Sequence, residues 1–320
     1  MAISVGPPPS GSKTAGFQYR PKKLGDMGIP LFADYSPKGS GKSSSWTTLA
    51  KATEKKHHIL SFDSNTRNGV AKFLTDRLGT YEKAETWAEE HLVIEQMGDY
   101  YDPSDTSTAG PTLQLAASIL GQWKDAGRDG KVAGVIVEHY EEAFDEMGPD
   151  AIRYEKGVPK NKRPDFRDYS IRSQYLDPID STFMTIPCDF RVLCGREERE
   201  ENKMVGTGRF KKVDGQDVEI TEVKKVTTPP KWIAARSLVN NVKVTFEKYR
   251  VPGQVRELGD GTKIAGKPAF YADVVISQHP RFTDGMSMNI TGVGMAAYFG
   301  DWWSQQIGLA PAAPVAKVVA

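Results

Sequence analysis

The sequence predicts an α/β protein: a mostly parallel central sheet with helices on both faces and antiparallel strands toward the C-terminus. Three observations lead there. Short β-type runs alternate with helix-type segments along the chain. The most apolar run, 132-VAGVIVEHY-140, suits the centre of a sheet covered on both sides. The late runs 243-KVTFEKYRV-251 and 270-FYADVVISQ-278 alternate polar and apolar residues, as antiparallel strands do.

Taken in order, residues 1–28 are rich in Pro, Gly, Ser and Lys without period and read as a flexible arm. The first strand is expected at 29-IPLFADY-35. A helix from about Ser43 then places Trp46, Leu49 and Ala50 on one face. A second strand, 59-ILSFD-63, precedes a helix with Val70, Phe73, Leu74 and Leu78 on one stripe. The third strand is 92-LVIEQ-96, followed by a loop of acidic and Tyr residues. Pro111 suits the first turn of a helix burying Leu113, Ala117 and Leu120. The run 132–140 supplies the fourth strand and 189-DFRVLCG-195 the fifth. Between them, 141–187 mixes helix and loop signals and holds the basic run 156-KGVPKNKRPDFR-167. Residues 196–231 carry dense charge of both signs around a turn at Asp214-Gly215. One domain over 29–307 and a loose tail over 308–320 complete the division.

Composition narrows the class. Of 320 residues, 39% are apolar and 26% charged, an ordinary globular mixture. A formal net charge of +1 gives no global reason for nucleic-acid binding, so such a role would rest on local patches. The two cysteines, Cys188 and Cys194, argue against a disulfide framework or zinc site and read as buried small residues. No apolar run approaches the ~20 residues that span a bilayer, and the N-terminus lacks a signal peptide's apolar segment. The expected location is cytoplasmic, with no membrane partner.

Two stretches compete as a phosphate-binding loop: 6-GPPPSGSKT-14 and 36-SPKGSGKSS-44. Such a loop works because backbone N–H groups converge on phosphate oxygens at a helix N-terminus, in the order strand, loop, helix. A lysine then reaches the β- and γ-phosphates and the next hydroxyl binds Mg²⁺. The first stretch follows no strand, its prolines remove donors, and Ser12 puts its lysine one residue out. The second lies between the first strand and its helix. Ser36, Pro37, Lys38, Gly39, Ser40, Gly41, Lys42, Ser43 and Ser44 are therefore the candidate nucleotide loop, with Lys42 as the charge and Ser43 as the metal hydroxyl. Ser36 occupies the first-glycine position, where a small residue can take the turn.

Such a site also needs an acid on a neighbouring strand to hold Mg²⁺ through water. Glu138, closing Val135-Ile136-Val137, fits that description. His139 beside it reads as a hydrogen-bonded structural histidine. A polar group must orient the attacking water; Asp63, at the end of the second strand, is the first candidate, with Glu141 and Glu142 beyond the metal acid. In 194-CGREERE-200, Arg196 could sense the γ-phosphate or reach across a subunit boundary; an ordinary surface ion-pair run is the alternative.

With SPKGSGKS, GVIVE and LCGREERE in this order, the chain resembles the RecA-like branch of the P-loop NTPases over roughly residues 29 to 300. More narrowly it looks like the single-domain RecA-like ATPases of phages and archaeal viruses, several of which promote single-strand annealing or recombination. The resemblance implies ATP and Mg²⁺ as ligands, a homo-oligomer and action on single-stranded DNA, in host cytoplasm if the source is viral. Family members usually carry a catalytic glutamate two residues past the aspartate ending the second strand. Asn65 stands there in this chain, and an amide can position water but cannot take a proton. Hydrolysis is thus expected to be slow or to rely on Asp63 or Glu138.

DNA contacts are expected from Lys160, Lys162, Arg163 and Arg167 and from Arg209, Lys211 and Lys212, with Phe166, Tyr169 or Phe210 stacking on bases. Both segments also hold acids, as ordinary solvated loops do. Two further readings stand beside this one: a DNA-packaging motor, and a nucleotide-binding switch with little hydrolysis.

Overall fold

The structure is a computed structural model, and it describes residues 29–36, 41–53, 55–196, 199–213, 216–228, 238, 241–253, 255–257, 263–278, 282–291, 294, 295 and 298. The arm at 1–28, the tail at 308–320 and the competing loop at 6–14 lie outside them.

In chain order the strands are β1 (Leu31–Ser36), β2 (Lys56–Ser61), β3 (Leu92–Gln96), β4 (Val132–Glu138), β5 (Phe190–Arg196), β6 (Arg199–Val213) and β7 (Gln216–Thr228). They continue with β8 (Val242–Val251), β9 (Val255–Glu257), β10 (Lys263–Ala265), β11 (Ala269–Ser277) and β12 (Ser287–Asn289). Eight of them form one mixed sheet in the order β12-β11-β8-β1-β5-β4-β2-β3. The strands from β8 to β3 run parallel, and β11 and β12 add antiparallel at one edge. The architecture is the α/β one expected from the alternation of runs. One detail is corrected: the run 243–251 pairs parallel to β1, and its antiparallel neighbour is β11.

The helices are α1 (Lys42–Thr53), α2 (Thr66–Leu78), α3 (Tyr81–His91), α4 (Ala109–Arg128), α5 (Tyr140–Glu142), α6 (Gly148–Lys156) and α7 (Tyr169–Thr185). A π-helical turn over Ala143–Met147 joins α5 to α6. Strand alternation sends side chains to two cores. Leu31, Leu60, Val135, Val137 and Leu193 face Leu113, Leu120 and Trp123 of α4 and Ile179 and Phe183 of α7. Phe32, Ile59, Ile136, Val192 and Phe246 face Trp46 and Leu49 of α1. Burying each such side chain is worth about 1.5–3 kcal/mol, so both faces commit the sheet to its register. Val70 and Leu74 of α2 meet Ala84 of α3 and Leu92, with Phe73 and Leu78 packed alongside.

At Gly134, in the middle of β4, an added Cβ would lie 2.3 Å from the Phe190 ring, so the central strand is glycine there to admit a neighbour's aromatic. Strands β6 and β7 pair antiparallel from Arg199↔Thr228 to Val213↔Gln216 as a hairpin; the turn expected at Asp214-Gly215 lies outside the described residues.

Several strand ends differ from expectation. β1 extends through Ser36. β2 starts at Lys56 and stops at Ser61, so Asp63 sits in the turn after the strand. β4 stops at Glu138, because His139 takes a left-handed backbone (φ 54, ψ 38) that no strand can continue.

Candidate functional site

The site gathers where the parallel strands end. Strands β1, β5, β4 and β2 are in register, so Asp34 lies beside Cys194, Cys194 beside Glu138, and Glu138 beside Ser61. This polar row closes the sheet on the α1 face. Glu138 was expected on a strand neighbouring β1; instead β5 intervenes, and Cys194 fills the gap between the two acids. Burial pushes the Cys194 thiol well above its usual range, and the flanking Asp34 and Glu138 carboxylates push it further. It is an inert spacer.

On the β1 side, Ser36 ends the strand and Gly41 immediately precedes α1. Gly41 has φ +82, a left-handed angle that favours glycine. Lys42 opens α1, almost buried, and its Nζ donates to the Ser36 carbonyl at 2.6 Å. The lysine thus reaches back from α1 to the end of β1. Pro37, Lys38, Gly39 and Ser40 lie outside the described residues. Ser43 and Ser44 sit in the first turn of α1, where helical N–H groups have no intrahelical partner.

Between the end of β1, the first turns of α1 and β8 lies a buried polar cluster that sequence reasoning missed. Asp34, fully buried, accepts from Ser36 Oγ at 2.8 Å and from Trp46 Nε1 at 2.6 Å. It is also paired with Lys248 of β8, another fully buried side chain. Lys248 Nζ donates to Ser45 Oγ at 2.5 Å and lies 4.7 Å from the Trp46 ring centroid. The backbone N–H of Lys248 donates to Ser36 Oγ at 2.9 Å. The serine at the first-glycine position is therefore used as a serine: its hydroxyl donates to Asp34 and accepts from β8.

On the β4 side, Glu138 is 1% exposed, and its Oε2 accepts from Thr66 Oγ1 at 2.9 Å. Thr66 opens α2 and shares a 2.7 Å hydrogen bond with Ser61 Oγ. A carboxylate so held is fixed in direction. His139 follows, with Nε2 3.6 Å from Asp63 Oδ2 and Nδ1 3.3 Å from Glu141 Oε1. The expectation of a hydrogen-bonded histidine matches this geometry. It is the only non-glycine with positive φ among the described residues, and such strain persists only where surrounding contacts enforce it. Asn65 lies at the N-terminus of α2, exposed, with its backbone N–H and its amide donating to Asp63 Oδ1 at 3.1 and 3.3 Å. Asp63 is thus engaged by Asn65 and His139 together. Glu142 continues the same turn, its N–H donating to the His139 carbonyl at 2.9 Å.

No three His, Cys, Asp or Glu side chains come together as a metal cluster among the described residues.

The remaining expected residues are more scattered. Arg196 ends β5 in register with Ser36. Lys160 Nζ is 3.9 Å from the buried Asp150, which also accepts from Tyr101 Oη at 2.7 Å. The Lys162 carbonyl accepts from Arg153 Nε at 3.2 Å. Arg163 lines a cavity of about 650 Å³ with Tyr169 and Arg172. Arg209, Lys211 and Lys212 belong to β6, and Lys212 is exposed opposite Asp217. The structure therefore brings Ser36, Gly41, Lys42, Glu138 and Asp63 to one end of the sheet, whereas the basic residues divide between the 157–168 connection and the hairpin.

No protein-family model matches the chain, and no curated protein matches it. Among solved structures, the crystal structure of the RadB recombinase is similar at 13% identity, covering 81% of this chain and 86% of that one, with a TM-score of 0.39.

Proposed function

We propose that the chain is a Mg²⁺-dependent, RecA-like P-loop ATPase that acts on single-stranded DNA as a homo-oligomer. One observation carries the nucleotide part: a left-handed glycine just before α1 and the near-buried lysine that opens it stand at the same sheet end and face as a fixed, buried glutamate. On this reading residues 36–44 cradle the phosphates, Lys42 releases the Ser36 carbonyl to meet them, and Ser43 and Glu138 hold the metal, Glu138 through water. The intervening β5 supports the RecA-like assignment over arrangements with adjacent loop and acid strands. The basic residues of the 157–168 connection and of β6 support the DNA part.

Asn65 favours a second reading. Its amide donates to Asp63, the first candidate for orienting water, and leaves a pure nucleotide switch as the competing function. Phosphate release with and without single-stranded DNA separates the two. The ATPase reading expects slow, Mg²⁺-dependent release that DNA accelerates and Lys42→Ala abolishes, because the lysine stabilises charge in the transition state. Tight ATP binding without release in either condition would leave the switch.

A further inference from the structure

We propose that Lys248 is a positioning residue for the phosphate loop, fixing the loop's two anchors from beneath without touching the nucleotide. The inference rests on the nucleotide-binding reading above. The loop is strung between the end of β1 and the first turn of α1, and Lys248 bonds to both. Its Nζ pairs with Asp34 on β1 and donates to Ser45 Oγ on α1 at 2.5 Å. Ser45 Oγ in turn donates to the carbonyl of Lys42 at 2.9 Å, so the buried lysine is one residue's hydrogen bond away from the phosphate-binding one. The backbone N–H of Lys248 holds Ser36 Oγ, which donates back to Asp34 at 2.8 Å. Trp46 closes the cluster, donating to Asp34 Oδ2 at 2.6 Å while its ring faces the ammonium.

Stability alone does not call for such a pair, since buried ion pairs replaced by apolar residues of similar size are often as stable or more so. Geometry does. Phosphate-loop donors act through placement, and misplacement by about 1 Å can cost about a hundredfold. A pair joining three elements around the loop supplies that placement. The same device accounts for Ser36: a glycine there would strip a partner from the Lys248 N–H and from Asp34, both in a fully buried region.

The test uses the full chain in two variants, Asp34→Leu/Lys248→Met, which keeps the cluster filled, and Ser45→Ala, which leaves the pair and removes its tie to α1. Urea unfolding midpoints and calorimetric Kd for Mg·ATP are read for each. The expected result is a retained midpoint with Mg·ATP affinity at least tenfold weaker in the double variant and several-fold weaker in Ser45→Ala. A purely structural cluster would move midpoints and leave Kd alone. If the double variant does not fold, Ser45→Ala decides by the same two readouts. Unchanged Kd in the folded variants overturns the inference while the nucleotide reading stands; no Mg·ATP binding by the wild-type chain overturns both.

Discussion

Acid should loosen this protein through two histidines on opposite faces of β2. His57 is fully buried against the Phe190 ring (centroids 5.2 Å apart), and His58 is 6% exposed against Trp123 (5.0 Å). Burial lowers His57 to about 3, with neighbouring His58 adding to the effect, and lowers His58 to about 4. Both stay neutral in the folded chain but take up protons once unfolded, near pH 6.5. Stability is therefore complete above that value and is lost as pH falls toward the folded pKa values. Between pH 7.5 and pH 5 the loss comes to about 2 kcal/mol for each histidine. Asp180 works in the opposite direction. Burial raises its carboxyl to about 6, so lowering the pH returns roughly 1 kcal/mol and leaves a net loss of about 2–3 kcal/mol. Urea unfolding at the two pH values measures it. His57→Leu and His58→Leu should each remove about half of the histidine contribution, whatever their cost at pH 7.5. Equal wild-type stability at both pH values, or an undiminished acid loss in the double variant, would refute the reasoning.

Two further perturbations follow from the core. Gly134→Ala drives a methyl into the Phe190 ring, which is buried against Trp46 and cannot swing away; a loss of about 1–3 kcal/mol in urea unfolding is expected. Tyr140→Phe removes the hydroxyl that donates to Asp180 Oδ1, and Asp180 Oδ2 has no hydrogen-bond partner among the described residues. The expected cost is about 1–3 kcal/mol at pH 7.5, where Asp180 is ionised, and less at pH 5; equal costs at the two pH values would contradict it.

How far the sequence could be read depended on what each signal reports. The strand–loop–helix at 31–53 and the apolar run ending at Glu138 were legible because periodicity and glycine placement are local properties. Helix α3 escaped notice: its run Tyr81–His91 is mostly polar and covers only the sheet edge through Ala84, Trp87 and Ala88. Strand order could not be read at all, because the insertion of β5 between β1 and β4 is decided by packing between distant segments. The Asp34–Lys248 pair lies 214 residues apart in sequence. Its one local trace was an aspartate inside the otherwise apolar run LFADY, a residue that a strand buries only with a partner. The end of β4 was misplaced for a similar reason: nothing in EHY announces that His139 turns left-handed, since Asp63 and Glu141 hold it there.

The central claim, that this sheet end is a phosphate site, is tested most directly by calorimetric titration of the full chain with Mg·ATP and, separately, with adenosine. If the loop between Ser36 and Lys42 works as described, the phosphates carry the binding energy: Mg·ATP binds one per chain and adenosine at least a hundredfold more weakly, a gap of about 2.7 kcal/mol or more. No heat with Mg·ATP, or equal affinity for the two ligands, would contradict the account.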